Sequence, residues 1–421
     1  MARFSEIADE IEGRIQKGRY RPGEKIPSIR KLAAEFSCAK PTVQRAFSRL
    51  KTDGLIENKV GSGSYVRFPE RIGRTGEVYD FSTDYLSESF FPVDRMRTIF
   101  DRLFSGQGVR AIAAPPVAGD PELIRHLGRY YRLPTDRMLV LSGAQQGLDL
   151  AAKVFAARIS EAALFEDPTY PGAVTLFRAK HFVPMEQDGP NLSALRRMLK
   201  DGIRLFYVMP SVHNPTGVSY SREKKEAVVD LVKRFGVILI EDDYQSEFVS
   251  SAAPRFVDLL PGQTLYIKSL AQATASGLRI GFMVVPESLY EKFRYAKYSA
   301  DVVSAGLLQK FFSAFIRDGA YGKHLSAVQS RIARRKKRLL TLLSRYRALS
   351  IPGVQSGCSL WVECKRSLKI QSPPWTTGDH FSFSPSFRCC FRISFMNLDD
   401  DRFAEGLNYL RSVLDRALPA A

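Results

Sequence analysis

The segment Ser142-Gly143-Ala144-Gln145-Gln146-Gly147 is a small-residue turn leading into a helix, where free backbone N–H groups and the helix dipole can hold a phosphate. Such a turn is common and by itself says little. Three further clusters share its setting, each starting where an apolar run ends, and a fifth runs on from Tyr266. Glu166-Asp167-Pro168-Thr169-Tyr170-Pro171-Gly172 places an aromatic ring beside carboxylates, and Pro210 to Gly217 contains His213-Asn214-Pro215-Thr216. Glu241-Asp242-Asp243-Tyr244 concentrates negative charge, and Tyr266-Ile-Lys-Ser269 continues through Gln272 to Ser276-Gly277-Leu278-Arg279-Ile280-Gly281. His213 has no partner in view and is as readily structural. Five scattered cysteines (Cys38, Cys358, Cys364, Cys389, Cys390) lack Cys-x-x-Cys spacing, so reduced thiols and no metal site are expected.

The elements that must position these clusters follow from the runs themselves. Met138–Leu141, Ala163–Phe165, Leu205–Val208 and Val237–Ile240 are short and wholly apolar, and they alternate with helical segments from about residue 79. That pattern predicts an α/β domain whose largely parallel sheet is buried on both faces. Ligands of such sheets collect at the C-terminal ends of the strands, where the first four clusters fall.

The first seventy residues follow a different plan. Ile7, Ile11 and Ile15 share a helical face, closed by Gly18 and the turn Arg21-Pro22-Gly23. Ser28 caps a second helix carrying Ile29, Leu32, Ala33 and Phe36. A third turns Val43, Ala46, Phe47 and Leu50 inward and Lys40, Thr42, Gln44, Arg45, Ser48 and Arg49 outward. Two β-runs, Leu55–Glu57 and Ser64–Arg67, are joined through Lys59-Val60-Gly61-Ser62-Gly63. Three helices and a basic hairpin are the plan of a winged helix-turn-helix, whose third helix enters the major groove. The expected domains are 1–68 for this head, a short polar linker at 69–78, a large domain at 79–305 and a smaller C-terminal α+β domain at 306–421.

With 421 residues, 45% of them hydrophobic, the chain is long enough for two or three packed units. A formal charge of +18 favours a polyanionic partner. No run of about 18 apolar residues exists to span a bilayer, and a cytoplasmic location with no membrane partner is expected. The basic run Arg331–Arg338, followed by leucines, reads as a solvated helix of the C-terminal domain rather than a second nucleic-acid surface.

Two resemblances sharpen this reading. Ile26-Pro27-Ser28-Ile29-Arg30-Lys31-Leu32-Ala33, Lys40-Pro41-Thr42-Val43-Gln44-Arg45-Ala46 and Gly61-Ser62-Gly63 resemble the DNA-binding domain of the GntR regulators. The resemblance implies DNA contacts at Arg30, Lys40, Thr42, Arg45 and Gly63. Arginine suits guanine, whereas lysine, threonine and glycine N–H suit phosphates. From residue 79 onward the ordered clusters resemble fold-type I pyridoxal-phosphate enzymes of the aminotransferase class I/II group. The whole chain is thereby similar to the MocR subfamily, in which both parts are fused. In this resemblance Asp242 faces the pyridine nitrogen, Asn214 and Tyr244 hydrogen-bond the ring oxygen, and Tyr170 stacks on the ring. Gly143, Ala144 and Gln145 meet the phosphate, Ser269 and Arg279 complete its cup, and Arg392 grips a ligand carboxylate.

The same motif places the Schiff-base lysine three residues after Ser269 and seven before Arg279, and both counts reach Gln272. A glutamine amide is neither nucleophilic nor basic, so it can neither capture the cofactor aldehyde nor move a substrate proton. Ala271 and Thr274-Ala275-Ser276 also depart from the related pattern, as does Ala114, where a phosphate-binding tyrosine is usual. The expected protein is therefore a homodimeric, non-enzymatic regulator of a double-stranded DNA operator. Its aminotransferase-like part senses non-covalent pyridoxal phosphate, an amino-acid adduct of it, or another anionic metabolite. The alternative is an enzyme tethered to DNA that uses Lys268 or a water in place of the missing lysine. Strand alternation directs Lys268 away from the aldehyde.

Overall fold

The computed structural model describes residues 3–16, 20, 24–52, 55–59, 63–66, 79–156, 162–249, 253–368, 370, 372–382 and 384–418. The expected turn at 21–23 with Gly18, the hairpin tip at 60–62, Arg67 and the linker at 69–78 lie outside the described residues. The chain forms two compact units, 1–77 and 78–421.

In the first unit α1 (Arg3–Gln16), α2 (Ile29–Glu35) and α3 (Lys40–Thr52) precede the hairpin β1 (Ile56–Lys59) and β2 (Gly63–Val66). Ser28 caps α2 by accepting from the Lys31 N–H at 3.3 Å. Ile7, Ile11, Leu32, Val43, Ala46, Phe47 and Leu50 all turn into one core with Ile26, Ile56 and Val66. Each of these side chains larger than alanine contributes about 1.5–3 kcal/mol on burial. The hairpin is tied to the segment before α2, with the Ile26 N–H donating to the Ser64 carbonyl at 2.9 Å and the Val66 N–H to the Glu24 carbonyl at 2.9 Å.

The second unit opens with α4 (Val93–Gln107), α5 (Pro121–Tyr131), β3 (Met138–Leu141), α6 (Ala144–Ala156), β4 (Ala162–Asp167), α7 (Pro171–Val174) and β5 (Ala179–Glu186). It continues through β6 (Gly189–Pro190), α8 (Leu192–Lys200), β7 (Leu205–Val208), α9 (Arg222–Phe235), β8 (Ile238–Asp243), α10 (Phe256–Leu259), β9 (Thr264–Ser269) and β10 (Gly281–Val284). The rest comprises α11 (Tyr290–Asp301), α12 (Gly306–Arg317), α13 (Ala320–Leu343), β11 (Leu349–Ser350), β12 (Ser359–Cys364), β13 (Thr376–Thr377), β14 (Cys390–Ser394) and α14 (Asp400–Ala417). Eight strands form one sheet in the order β3-β10-β9-β8-β7-β4-β5-β6. From β9 to β5 neighbours are parallel, whereas β10 runs antiparallel to both β3 and β9. The sheet is thus mixed, with a parallel centre as expected.

All four residues of β3 are buried, and their alternation shows why the run is continuously apolar. Met138 and Val140 pack into the core shared with α5 and α12, whereas Leu139 and Leu141 pack into the core of α6 on the opposite face. A four-stranded sheet, β11-β12-β14-β13, carries Arg392 on β14. The basic run 331–338 lies within α13, but it is not simply solvated. Arg335 is buried, donating to the carbonyls of Phe395 and Leu398 and to Asp400, because a guanidinium can satisfy several loop carbonyls at once.

Candidate functional site

The C-terminal ends of β3, β4, β7, β8 and β9 bring the five clusters to one side of the sheet. Asp242, near the end of β8, is buried. One carboxylate oxygen accepts from the Tyr207 hydroxyl at 2.7 Å, and the other has no hydrogen-bond partner. Burial, reinforced by the neighbouring Asp243 charge, raises its pKa to about 7, against the opposing Tyr207 hydrogen bond. A buried acceptor of this kind suits a cationic N–H. Tyr207 was not anticipated as a site residue, although a hydroxyl inside a wholly buried run implies a hidden acceptor.

The rim around Asp242 is built from residues remote in sequence. Tyr170 precedes α7, and its hydroxyl donates to the Gln145 side-chain oxygen at 3.2 Å. Burial, followed by the Asp242 charge, pushes that hydroxyl to about 12. The Gln145 amide also donates to the Gly172 carbonyl at 3.0 Å, so this side chain braces Tyr170. Gly143 has φ +89°, and an added Cβ would lie 2.8 Å from an Arg279 guanidinium nitrogen. Arg279, itself left-handed at φ 44°, is exposed and donates to the Ser142 carbonyl at 3.4 Å. Gly143, Ala144 at the first turn of α6, and Arg279 therefore surround one N–H-rich corner. Ser269 ends β9 opposite Gly281, with its hydroxyl accepting from the Ala271 N–H at 3.3 Å.

Gln272 occupies the turn after β9, between buried Ala271 and Ala273, and its side-chain oxygen is buried without a hydrogen-bond partner. Burial raises the half-buried Tyr244 hydroxyl well above its usual value. Asn214 accepts from Arg392 at 2.8 Å, and Arg392 is also paired with Asp84, a residue that no local pattern singled out. Ala114 is exposed.

Lys268 has a different fate from the one its alternative role requires. Its ammonium is fully buried, 2.7 Å from Glu247 and 3.3 Å from Asp243, and bonded to the Ser246 hydroxyl at 3.1 Å. Burial opposes its charge, but the two carboxylates outweigh that effect and raise its pKa. A lysine so held is a protonated structural cation, not a nucleophile. His213 is likewise buried, bonded to the Thr216 hydroxyl at 2.7 Å and 3.4 Å from Glu166, which suits a structural role.

In the head, Arg30, Lys40 and Arg45 are exposed and Thr42 is half-buried. Gly63 has φ +119°, and a Cβ there would lie 2.8 Å from the Lys25 side chain. Arg49 pairs across the surface with Asp9 of α1 at 2.8 Å, linking α3 to α1. Among the described residues no group of three or more His, Cys, Asp or Glu could hold a metal, and no helix is long and apolar enough to cross a membrane.

The fold and this strand-end site define an aminotransferase-like protein of fold-type I carrying a winged DNA-binding head. The chain belongs to the aminotransferase class I and II family, whose model matches residues 84–410, and the model of the gntR family of bacterial regulatory proteins matches residues 4–66. It is 29% identical over 367 residues to the uncharacterized HTH-type transcriptional regulator YcxD of Bacillus subtilis, covering 83% of this chain and 82% of that one. It is 26% identical to the probable rhizopine catabolism regulatory protein MocR of Rhizobium meliloti, covering 97% and 92%. The 2-aminoadipate transaminase of Thermus thermophilus is 25% identical, covering 80% and 90%. The structure of LysN, the alpha-aminoadipate aminotransferase of Thermus thermophilus complexed with N-(5'-phosphopyridoxyl)-L-leucine, superposes with a TM-score of 0.73 at 24% identity, covering 81% and 93%. Transcription regulators with both domains are thus among its relatives, and so is a true transaminase.

Proposed function

We propose that this protein is a DNA-binding transcription regulator whose aminotransferase-like part binds a pyridoxal-phosphate-type ligand without a covalent bond and transmits its presence to the head. The observation that carries the ligand reading is Asp242: a carboxylate buried at a strand end, held by Tyr207 on one oxygen and unpartnered on the other. Pyridoxal phosphate fits the residues present. Asp242 would face the protonated ring nitrogen, Tyr170 the ring, and Asn214 and Tyr244 the ring oxygen, while Gly143, Ala144, Ser269 and Arg279 would hold the phosphate. When bound, the group supplies an electron-withdrawing ring and an aldehyde that condenses with amines.

In this reading the pocket brings recognition but no amine at the usual lysine position. Gln272 would present an amide where the motif places the lysine, and Lys268 is committed to Asp243 and Glu247. Neither side chain accepts or delivers a proton at a bound ligand's carbon. What the pocket can do is bind and orient. A ligand that binds one arrangement of a homodimer better than another shifts how two heads meet a two-fold operator.

The test uses the full-length protein and a duplex selected by it from a random pool. Pyridoxal phosphate is expected to show a perturbed visible band, to be removed by gel filtration, and to change operator affinity. Treatment with borohydride is expected to leave no pyridoxyl group on any lysine. A pyridoxyl adduct fixed on Lys268 would revive the tethered enzyme. An unperturbed band together with unchanged operator affinity would reduce the protein to a regulator indifferent to the cofactor.

A further inference from the structure

Arg392 is the residue expected to grip a ligand carboxylate, yet its own chain already supplies one. The guanidinium is paired with one oxygen of Asp84, while the other Asp84 oxygen accepts from the Ser394 hydroxyl. Side-chain exposure is 8% for Arg392 and 11% for Asp84, so the pair sits out of bulk water, where charge neutralisation matters most. Both terminal nitrogens make further contacts, and Nε is buried without a hydrogen-bond partner. Arg392 donates to the Asn214 side-chain oxygen at 2.8 Å and to the Ser82 carbonyl at 3.0 Å, and it lies 4.8 Å from the Phe381 ring centroid.

Asp84 is also held in place rather than free to swing. Asp80 accepts from the Ser82 N–H at 2.7 Å, from the Ser82 hydroxyl at 2.6 Å and from the Thr83 hydroxyl at 2.6 Å, closing a local turn. The flanking backbone is fastened to the small sheet region through Phe81 N–H to the Pro374 carbonyl at 2.8 Å and Ser394 N–H to the Phe81 carbonyl at 2.7 Å. Displacing the Asp84 carboxylate would therefore break a braced segment and leave a buried charge unpaired.

We propose that Asp84 is the residue that sets ligand class in this pocket. It permanently fills the anion position at Arg392, so the pocket takes the phosphopyridoxyl group alone or joined to an amine lacking a carboxylate, and rejects phosphopyridoxyl amino acids. A second carboxylate at Arg392 would meet Asp84 as a like charge in a water-poor site, where the guanidinium is already neutralised by Asp84. This inference rests on the pocket being a phosphopyridoxyl site.

Two stable probes that differ only by a carboxylate test it: N-phosphopyridoxyl-ethylamine and N-phosphopyridoxyl-L-alanine, titrated calorimetrically into the full-length protein. The wild type is expected to bind the ethylamine compound at least about tenfold more tightly. In Asp84→Gly the preference is expected to reverse, because Arg392 is released to meet the alanine carboxylate. Equal or tighter binding of the alanine compound by the wild type overturns the proposal without any variant, so a misfolded Asp84→Gly cannot rescue it. If the wild type binds neither compound, the phosphopyridoxyl pocket itself is disproved and this inference falls with it, an outcome distinct from binding both with the wrong preference.

Discussion

At the scale of single residues the site sets stability against recognition. Asp242 is buried with one unpartnered oxygen, and its pKa rises from the ordinary carboxylate range to about 7. The native state therefore holds a proton that the unfolded chain releases, so this residue's contribution to stability falls as pH rises from about 4 to about 7. Asp242→Asn is expected to raise the melting temperature of the ligand-free protein at pH 8, by on the order of 1–4 kcal/mol of stability, and to change little at pH 5. The same variant is expected to lose pyridoxal phosphate binding, measured by fluorescence titration. A variant that is no more stable at pH 8 would show that the carboxylate carries no burial cost. Lys268 is the converse case, a buried cation whose removal strands two carboxylates. Lys268→Met is expected to cost about 3–5 kcal/mol in urea unfolding, whereas a small loss would reopen a role other than structural.

At the scale of elements, positions follow from strand ends and helix starts. The start of α6 approaches Arg279 so closely at Gly143 that a Cβ there would lie 2.8 Å from the guanidinium, at a φ of +89° that other residues adopt only with strain. Gly143→Ala is expected to weaken inorganic phosphate and pyridoxal phosphate binding roughly tenfold or more while Asp242 still titrates as before. Unchanged phosphate affinity would remove the start of α6 from the phosphate site. In the head, α3 pairs with α1 through Arg49 and Asp9, and Lys40 is exposed at the start of α3. Lys40→Ala is expected to lower operator affinity evenly across sequences and to reduce the slope of log affinity against log salt by about 1. A change in sequence preference without a change in slope would instead make Lys40 a base reader.

At the scale of the whole molecule, the fusion itself carries the regulatory reading, and the proposed function is that of a homodimer. Sedimentation equilibrium is expected to give twice the 47.3 kDa chain mass, and the selected operator two half-sites related by a two-fold axis. A monomer on a single asymmetric site would break the link between the ligand site and paired heads. Much of this plan was legible in the chain. The runs Met138–Leu141 and Leu205–Val208 are strands with those bounds, since a buried strand must be apolar on both faces. Ser28, the inward residues of α3 and the ordered clusters at strand ends were local patterns too. What no local pattern held was pairing across the chain: Asp84 on Arg392, Tyr207 on Asp242, Lys268 between Asp243 and Glu247, and the reversed direction of β10. Periodicity reports which face a residue turns to the core, but charge compensation inside that core depends on neighbours brought in by distant strands. The sequence by itself determined a winged head, an aminotransferase-like body and a glutamine where a lysine is expected. Only the tertiary structure decided that Lys268 is held between two carboxylates, that Asp242 keeps one oxygen without a hydrogen-bond partner, and that Arg392 is paired with Asp84.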